Sequence, residues 1–312
     1  MRFGTTVGRC EWFLRVLGVW LVCSAVTPSS AQAQIPPSVL PYIDLKCYGI
    51  TDPDGNPLPP ASVPLHLDHL NPLFQELGAP PEDVVLLDPF QLCVPVAKNG
   101  VIPPPAALEF IQYIDLKCYN LQTDPTPLGL PLLLTHLNPV LHELPQEAVV
   151  VQDPQKLCVP VAKILPDGTP FFPPPPVRQS VQFIDQKCYG ITDTAGNPLP
   201  PIGFPLHLDH LNPALLRWGA PPEDIFLQDP RQLCVPVAKN GVFPPPDDPV
   251  ISQIDLKCYG VTDALGGTPP PLGLPQVLFH LNPVLTLPPE QVLIQEPQQL
   301  CVPVQKSRLP GT

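Results

Sequence analysis

The chain has 312 residues, a formal net charge of -12 and no cluster of Lys or Arg, which argues against nucleic acid or an anionic membrane surface as a partner. Charged residues make up only 14% of the chain and hydrophobic residues 44%, so the composition favours packed cores over disorder. Proline is unusually frequent, at 53 residues, but no Gly-X-Y period accompanies it, and collagen is therefore excluded.

Residues 1–33 have the pattern of a signal peptide. Three arginines, at positions 2, 9 and 15, precede an apolar run over 16–26, and Ala-Gln-Ala at 31–33 is a cleavage site. The apolar run is short for a membrane span, although an uncleaved anchor is the alternative, and no later stretch is suited to span a bilayer. We therefore expect an exported protein, extracellular or periplasmic, cleaved after Ala33, in which the remaining eight cysteines form disulfides.

Two cysteine motifs recur four times and divide the mature chain into repeats. Each repeat opens with Lys-Cys-Tyr, as at 46–48, and closes with Leu-Cys-Val-Pro-Val, as at 92–96. The aspartates that precede the opening motifs lie 71, 70 and 70 residues apart by subtraction of their numbers: Asp44, Asp115, Asp185 and Asp255. This fixed period predicts a repeat array. Because each repeat has its own cysteine pair, we expect four small domains, over residues 40–102, 110–172, 180–243 and 251–308.

The repeats are of two kinds that alternate. The first and third share Gly-Asn-Pro-Leu-Pro-Pro, at 55–60 and 196–201, whereas the second and fourth share Leu-Gly-Leu-Pro, at 128–131 and 272–275. Duplication of an A-B pair explains the order A-B-A-B more simply than four independent copies do. Packing of A on B within such a pair is an open alternative to four separate units.

The first part of each repeat predicts two strands and a short helix. In residues 43–48 the side chains of Ile, Leu and Cys point to one face and those of Asp, Lys and Tyr to the other. Residues 65–68 alternate in the same way. Asn71 as N-cap and Pro72 at the first helical position then predict a helix through Leu77, with an irregular turn as the alternative.

The second part of each repeat predicts two further strands. The apolar run at 84–87 favours a buried strand, and Asp88-Pro89 predicts a turn before the closing strand at 92–96. Pro95 lacks an N–H, so it places that closing strand at a sheet edge or at a bulge. The proline runs at 103–105, 173–176 and 244–246 predict extended, semi-rigid spacers between repeats.

These elements predict a mostly β protein of four tandem small antiparallel β domains, each closed by one disulfide within the repeat. The expected bridges are Cys47–Cys93, Cys118–Cys158, Cys188–Cys234 and Cys258–Cys301, because similar units should close in the same way. The alternative joins neighbouring repeats, for example through a bond between Cys93 and Cys118.

The two motifs also resemble those of an uncharacterised family of domains in secreted bacterial proteins. The resemblance rests on Lys46-Cys47-Tyr48 and on the stretch from Leu92 to Gly100, with counterparts in every repeat. It covers nearly all of the mature chain. The resemblance implies a β-rich extracellular module of unknown function and no catalytic activity. The second and fourth repeats depart from the Lys-Asn-Gly ending, so their last turn is expected to differ.

The candidate chemical groups are few. His66 and Asp68 share a strand face, as do His207 and Asp209, and imidazole with carboxylate is a plausible ligand pair for zinc or copper. One strand supplies only two such ligands, however, and the second and fourth repeats lack the Asp. The His before each Asn-Pro, as at His69, is expected to be a hydrogen-bonded structural residue. Lys46 and Asp44 are expected to form a surface ion pair.

We therefore expect an exported, non-enzymatic structural or interaction protein without a cofactor, whose partner is an unknown protein or cell-surface component. No Gly-x-Ser-x-Gly motif is present, and every mature cysteine has a positional partner, so neither a serine nor a cysteine nucleophile is predicted. The alternative is a metal-dependent binding protein or enzyme that uses the His and Asp positions of the first and third repeats.

Overall fold

Each repeat contributes three antiparallel strands to one sheet in the computed structural model, which describes residues 36–246 and 248–311. The predicted signal peptide and its cleavage site lie outside the described residues. The opening strands are β1 (Leu45–Thr51), β4 (Asp115–Gln122), β8 (Gln186–Thr192) and β11 (Leu256–Thr262). The second strands are β2 (Val63–His69), β5 (Leu130–His136), β9 (Phe204–His210) and β12 (Leu274–His280). The long closing strands are β3 (Glu82–Lys98), β6 (Glu147–Ile164), β10 (Glu223–Lys239) and β13 (Glu290–Arg308), and a short strand, β7 (Pro170–Phe171), pairs with β6.

Short helices occur at two places in the repeats. After Asn-Pro lie α1 (Pro72–Glu76) and α4 (Pro213–Arg217), and the side chain of Asn71 accepts a hydrogen bond from the backbone of Leu73, so the predicted helix start is confirmed. The segments before the opening strands contain α2 (Pro105–Ile111), α3 (Pro175–Val181) and 3-10 turns at Pro37–Tyr42 and Ile251–Gln253. Within the described part of the chain, no helix has the length and apolarity needed to cross a membrane.

The opening and closing strands form a closed ring of eight. Each opening strand pairs with the closing strand of its own repeat, and on its other side with the closing strand of the repeat before it. The pairing of β1 with β13 joins the first repeat to the fourth and completes the circle. Closure leaves none of these eight strands as an edge, which is how closed sheets avoid exposing unpaired backbone groups.

The second strands cover the outside of the ring and connect repeats that lie opposite each other in it. β2 pairs with β3 of its own repeat and with the end of β10 from the third repeat, and β9 makes the reciprocal pairs with β10 and β3. In the same way β5 and β12 link the second repeat with the fourth. Every repeat is thus hydrogen-bonded to the other three.

The expectation of four separate domains is therefore wrong, because residues 36–246 and 248–311 belong to one compact unit. A single repeat has too little apolar surface of its own, and the ring lets all four repeats share one core. The four predicted disulfides are present. The alternative bond between Cys93 and Cys118 is not formed, although the two sulfurs lie only 3.7 Å apart.

The closing strand also differs from the prediction. The expected turn at Asp88-Pro89 is a bulge inside a continuous strand, marked by register shifts around Pro89 where β3 pairs with β4. Pro95 lies at neither an edge nor a bulge. Beside it, the neighbour of β3 changes from β4, which pairs as far as Cys93, to β9, which pairs from Val96 onward. The missing N–H of Pro95 falls in the gap between those two ladders.

The first two segments between repeats contain packed helices rather than extended spacers, which corrects another prediction. Ala107, Phe110 and Ile111 of α2 are buried, as are Val177 and Val181 of α3. These side chains belong to the same core cluster as all eight cysteines. A proline at the first helical turn fits here because its missing N–H would have no partner within the helix. The first two proline runs therefore begin helices that cover one end of the ring, whereas the third, at 244–246, precedes a 3-10 turn at Ile251–Gln253.

The interior of the ring is built from side chains that alternate with outward-facing ones along each strand. The eight cysteines form a belt around it, since sulfurs of neighbouring disulfides are also close: 3.8 Å between Cys47 and Cys301, and 3.6 Å between Cys234 and Cys258. On the helix side of this belt lie Leu45, Leu116, Gln186 and Leu256, two residues before the opening cysteines. On the opposite side the interior becomes polar, and the ring opens there into a cavity.

Candidate functional site: the mouth of the ring

The open end of the ring, which we call the mouth, is lined by the two residues that follow each Asp-Pro or Glu-Pro in the closing strands. Register shifts accompany Pro89, Pro154, Pro230 and Pro297, so all four closing strands carry the same irregularity. The cavity has a volume of about 510 Å³. Its lining includes Phe90, Gln91, Lys156, Arg231, Gln232 and Gln299.

Glycines let long polar side chains lie across the mouth. A Cβ placed on Gly260 would be 2.7 Å from Nη2 of Arg231, and one on Gly190 would be 2.8 Å from Nε2 of Gln155. Such approaches exclude any larger residue unless the neighbour moves. The opening strands of three repeats therefore have glycine two positions after the cysteine, where the second repeat has Asn120.

Lys156 is the one residue of the innermost polar layer that breaks the four-fold pattern. The other three repeats have a glutamine at this position: Gln91, Gln232 and Gln299. The Lys156 Nζ donates hydrogen bonds to Oε1 of Gln91 and to Oε1 of Gln299, both at 2.7 Å. The residue is 1% exposed, and burial lowers the pKa of its ammonium to about 7, because removal from water disfavours the charged form.

Lys156 is also the one buried lysine of the described residues that has no carboxylate partner. The sequence has nine lysines, and all nine lie in the described part of the chain and are buried. Eight of them form ion pairs with Asp or Glu: Lys46, Lys98, Lys117, Lys163, Lys187, Lys239, Lys257 and Lys306. A buried charge without an opposite charge is costly and is uncommon outside functional sites. Lys156 is therefore the strongest candidate for a functional group.

The paired lysines belong to two kinds of structural cluster. In the first kind, the opening Lys and Tyr meet Glu and His from the opposite repeat. Tyr48 donates to Oε1 of Glu223 at 2.5 Å, and Lys46 Nζ lies 2.5 Å from the other oxygen of that carboxylate. Burial alone would raise the pKa of Glu223, but His210, Lys46 and Tyr48 lower it to about 2. The expected surface pair of Lys46 with Asp44 is therefore wrong, since both are buried and have other partners.

The second kind of cluster joins each repeat to the next one in the ring. Asp44 pairs with Lys98 of its own repeat and accepts a hydrogen bond from Asn138 of the second repeat. The same arrangement passes from repeat to repeat, and Asn71 of the first repeat donates to Asp255 of the fourth at 3.0 Å. The asparagine that caps the helix or turn after each second strand thus also closes the circle. The predicted structural role of the preceding His is confirmed, since His69 lies 3.2 Å from the Tyr189 hydroxyl.

Breaking one of these pairs is expected to be strongly destabilising. The Asp185→Asn variant leaves Lys239, which is 1% exposed, as an unpaired buried cation, and we expect a loss of about 3–5 kcal/mol in the free energy of unfolding. Urea unfolding with intact disulfides measures this loss in the free energy of unfolding. The double variant Asp185→Leu with Lys239→Met should lose less than the single variant, and Asp54→Asn, at an exposed turn, is the control. A loss below about 1 kcal/mol in the single variant contradicts the role given to the pair.

The predicted metal-ligand residues lie outside the mouth, on exposed strand faces. His66 Nε2 is 3.7 Å from Asp68, as the shared face predicts, but its Nδ1 is 2.8 Å from Asp83, a residue that the sequence pattern did not indicate. His207 has the same arrangement with Asp209 and Asp224. The bond to Asp83 raises the pKa of His66. Each imidazole thus presents its two nitrogens to two different carboxylates, so the set does not converge on one metal position.

Comparisons with protein-family models, with curated proteins and with solved structures find no match to this chain. The resemblance to secreted bacterial domains that the cysteine motifs indicate stays a prediction. The geometry of the mouth is therefore the basis on which a function is inferred.

Proposed function

We propose that the protein is an exported, non-enzymatic binding protein, and that its ligand is a small acidic group that enters the mouth and contacts Lys156. The observation that carries the proposal is the buried amine of Lys156, which has hydrogen-bond acceptors but no carboxylate beside it. The acidic group belongs either to a free small molecule or to the end of a larger cell-surface component.

The position beside Lys156 favours an anion, and the lining of the mouth has two cations, Lys156 and Arg231, against one carboxylate, Glu296. An ammonium group removed from water gains much more from an opposite charge than an exposed one does, because the local dielectric constant is low. Arg231 is a second cation of the lining, and its own partner, Asp229, leaves the guanidinium half-exposed. An anion bound beside Lys156 supplies the charge that the carboxylates supply to the other eight lysines.

The four disulfides support export, since such bonds persist in oxidising compartments. They also support a rigid binding scaffold, because each links two neighbouring strands beneath the mouth. The acid and base groups of the described repeats are largely engaged in ion pairs that hold the ring together. This use of the titratable groups supports a binding function in preference to catalysis.

We also propose that the A-B-A-B order of the repeats is part of this design. The reciprocal pairs of β2 with β10 and of β9 with β3 bring A repeats together, and those of β5 and β12 bring B repeats together. Each kind of repeat therefore has to match its own kind across the ring. Because Lys156 occurs in only one of the two B repeats, the site itself is single.

Isothermal titration of the mature protein with glycolate, succinate and inorganic phosphate tests the proposal. We expect at least one of these anions to bind with one site per chain, more tightly at pH 6 than at pH 8, and with uptake of a proton. Proton uptake follows because an anion beside Lys156 stabilises the ammonium form and so raises its pKa.

The matched variant is Lys156→Gln, which gives the second repeat the residue of the other three. It should abolish binding, whereas Arg178→Gln, a change of a cation in α3 at the covered end of the ring, should leave it unchanged. If none of the three anions binds, or if Lys156→Gln binds as the parent protein does, the proposal is overturned.

A further inference from the structure

The hydrogen bonds of Lys156 leave one position on its nitrogen without a partner. Nζ donates to two amide oxygens, and no third hydrogen bond or ion pair to it occurs among residues 36–246 and 248–311. A neutral amine has two N–H bonds and one lone pair. The two glutamines therefore satisfy both N–H groups of the neutral form, and the residue lines the cavity with its remaining position unused.

We propose that Lys156 captures a small oxo acid in the mouth as an imine, through attack of its amine on the aldehyde or ketone carbon. This inference rests on the proposed function, since it names the class of acid that the same site takes. The carboxylate of an oxo acid meets the positive charge of the mouth, and its carbonyl carbon meets the nucleophile. Desolvated lysines are the ones that form such adducts in proteins.

The reaction is balanced and requires no other reactant. The lone pair of Nζ forms a C–N bond with the carbonyl carbon, and the resulting carbinolamine loses water. The carbonyl oxygen leaves with the two hydrogens that the amine gives up, so nothing is oxidised or reduced. The imine nitrogen then takes up a proton from the solvent, and the resulting N–H can donate to Gln91 or Gln299.

Selectivity among the lysines follows from their surroundings. The eight other lysines are buried and ion-paired, so each amine has a carboxylate partner, which Lys156 lacks. Burial lowers the pKa of Lys257 to about 7 as well, but its Nζ is bound to Glu147 and is not open to the mouth. With a pKa of about 7, roughly half of Lys156 is free amine at neutral pH, against far less than 1% for an ordinary lysine. The chain thus contains its own control lysines, of which Lys257 is the most stringent because it differs from Lys156 in its carboxylate partner and not in its pKa.

Reductive trapping tests the inference. The mature protein is incubated at pH 7 with glyoxylate and cyanoborohydride, and the sites of carboxymethylation are mapped by mass spectrometry. We expect one carboxymethyl group per chain, on Lys156, introduced at least roughly tenfold faster than on any other lysine. Glycolate, which has the carboxylate but no carbonyl, should slow the labelling by competition.

Two controls separate this inference from the proposed function. Lys156→Arg forms no imine under these conditions and should show no labelling at position 156, while glycolate binding is measured on the parent protein. The urea-unfolded protein should be labelled on all of its lysines. If glycolate binds to the parent protein but glyoxylate leaves Lys156 unlabelled, the imine is refuted and anion binding stands. Labelling spread evenly over the paired lysines also refutes it.

Discussion

A chain that ends at residue 246, and so lacks the fourth repeat, is expected to lose its cooperative fold. The deletion removes β11, β12 and β13, which leaves β1 and β10 each without a neighbour on one side of the ring. It also exposes the shared core, including the cysteine belt, to water. Circular dichroism, thermal unfolding and size-exclusion chromatography should show a non-cooperative or aggregated product, although three of the disulfides remain possible.

A circular permutant is the control for this deletion. The turn at Pro37–Tyr42 contacts β13, and Leu40 and Gln305 line one cavity, so a flexible Gly/Ser linker can connect the end of the chain to its first turn. New termini in the exposed turn at Asp167 and Gly168 then leave the ring complete. The permutant should unfold cooperatively, as the parent protein does. A three-repeat chain that remains monomeric with a native-like melt would show that the repeats fold separately.

The local elements of each repeat could be predicted from the sequence, whereas the ring could not. The alternation around Cys47 and the Asn71-Pro72 helix start are local patterns, and the disulfides follow from the equivalence of the repeats. The two neighbours of each opening strand come from different repeats. No local pattern in the sequence identifies the neighbour that comes from the preceding repeat. The sequence also conceals the burial of both faces of the opening strand, which requires two covering layers, because Asp44 and Lys46 make one face polar.

The candidate site could be predicted only in part, for a related reason. The repeats show that Lys156 replaces a glutamine, which marks the position as exceptional. From the sequence alone, however, every lysine is predicted to lie at the surface, because lysine is rarely buried unless it is paired. Glu223, the partner of Lys46, lies far along the chain, and Asp83, the partner of His66, lies on the neighbouring strand. These ion pairs are therefore apparent only from the three-dimensional contacts. The absence of a carboxylate beside Lys156 is visible at that level alone.

Replacing Lys156 with Gln is expected to stabilise the protein in a pH-dependent way. The folded pKa of about 7 lies below the value of 10.5 for an exposed lysine, so between these values the unfolded chain binds a proton that the folded chain does not. The penalty for burying the amine is therefore complete below pH 7, decreases as the pH rises, and disappears above about 10.5. Its full size is of the order of 5 kcal/mol, and each pH unit removes about 1.4 kcal/mol of it.

Urea unfolding of the parent protein and of Lys156→Gln at several pH values measures this effect. The stability advantage of the variant should be nearly constant from pH 5 to 6 and should fall by about 2 kcal/mol between pH 7 and 9. Lys156→Arg is the matched control. Because arginine stays charged throughout this range, the difference in the free energy of unfolding between Lys156→Arg and Lys156→Gln should not change with pH. If the free energy of unfolding of Lys156→Gln exceeds that of the parent protein by the same amount at pH 7 and at pH 9, Lys156 remains protonated in the folded ring. The free amine required for imine formation would then be missing, while the charge required for anion binding would be retained.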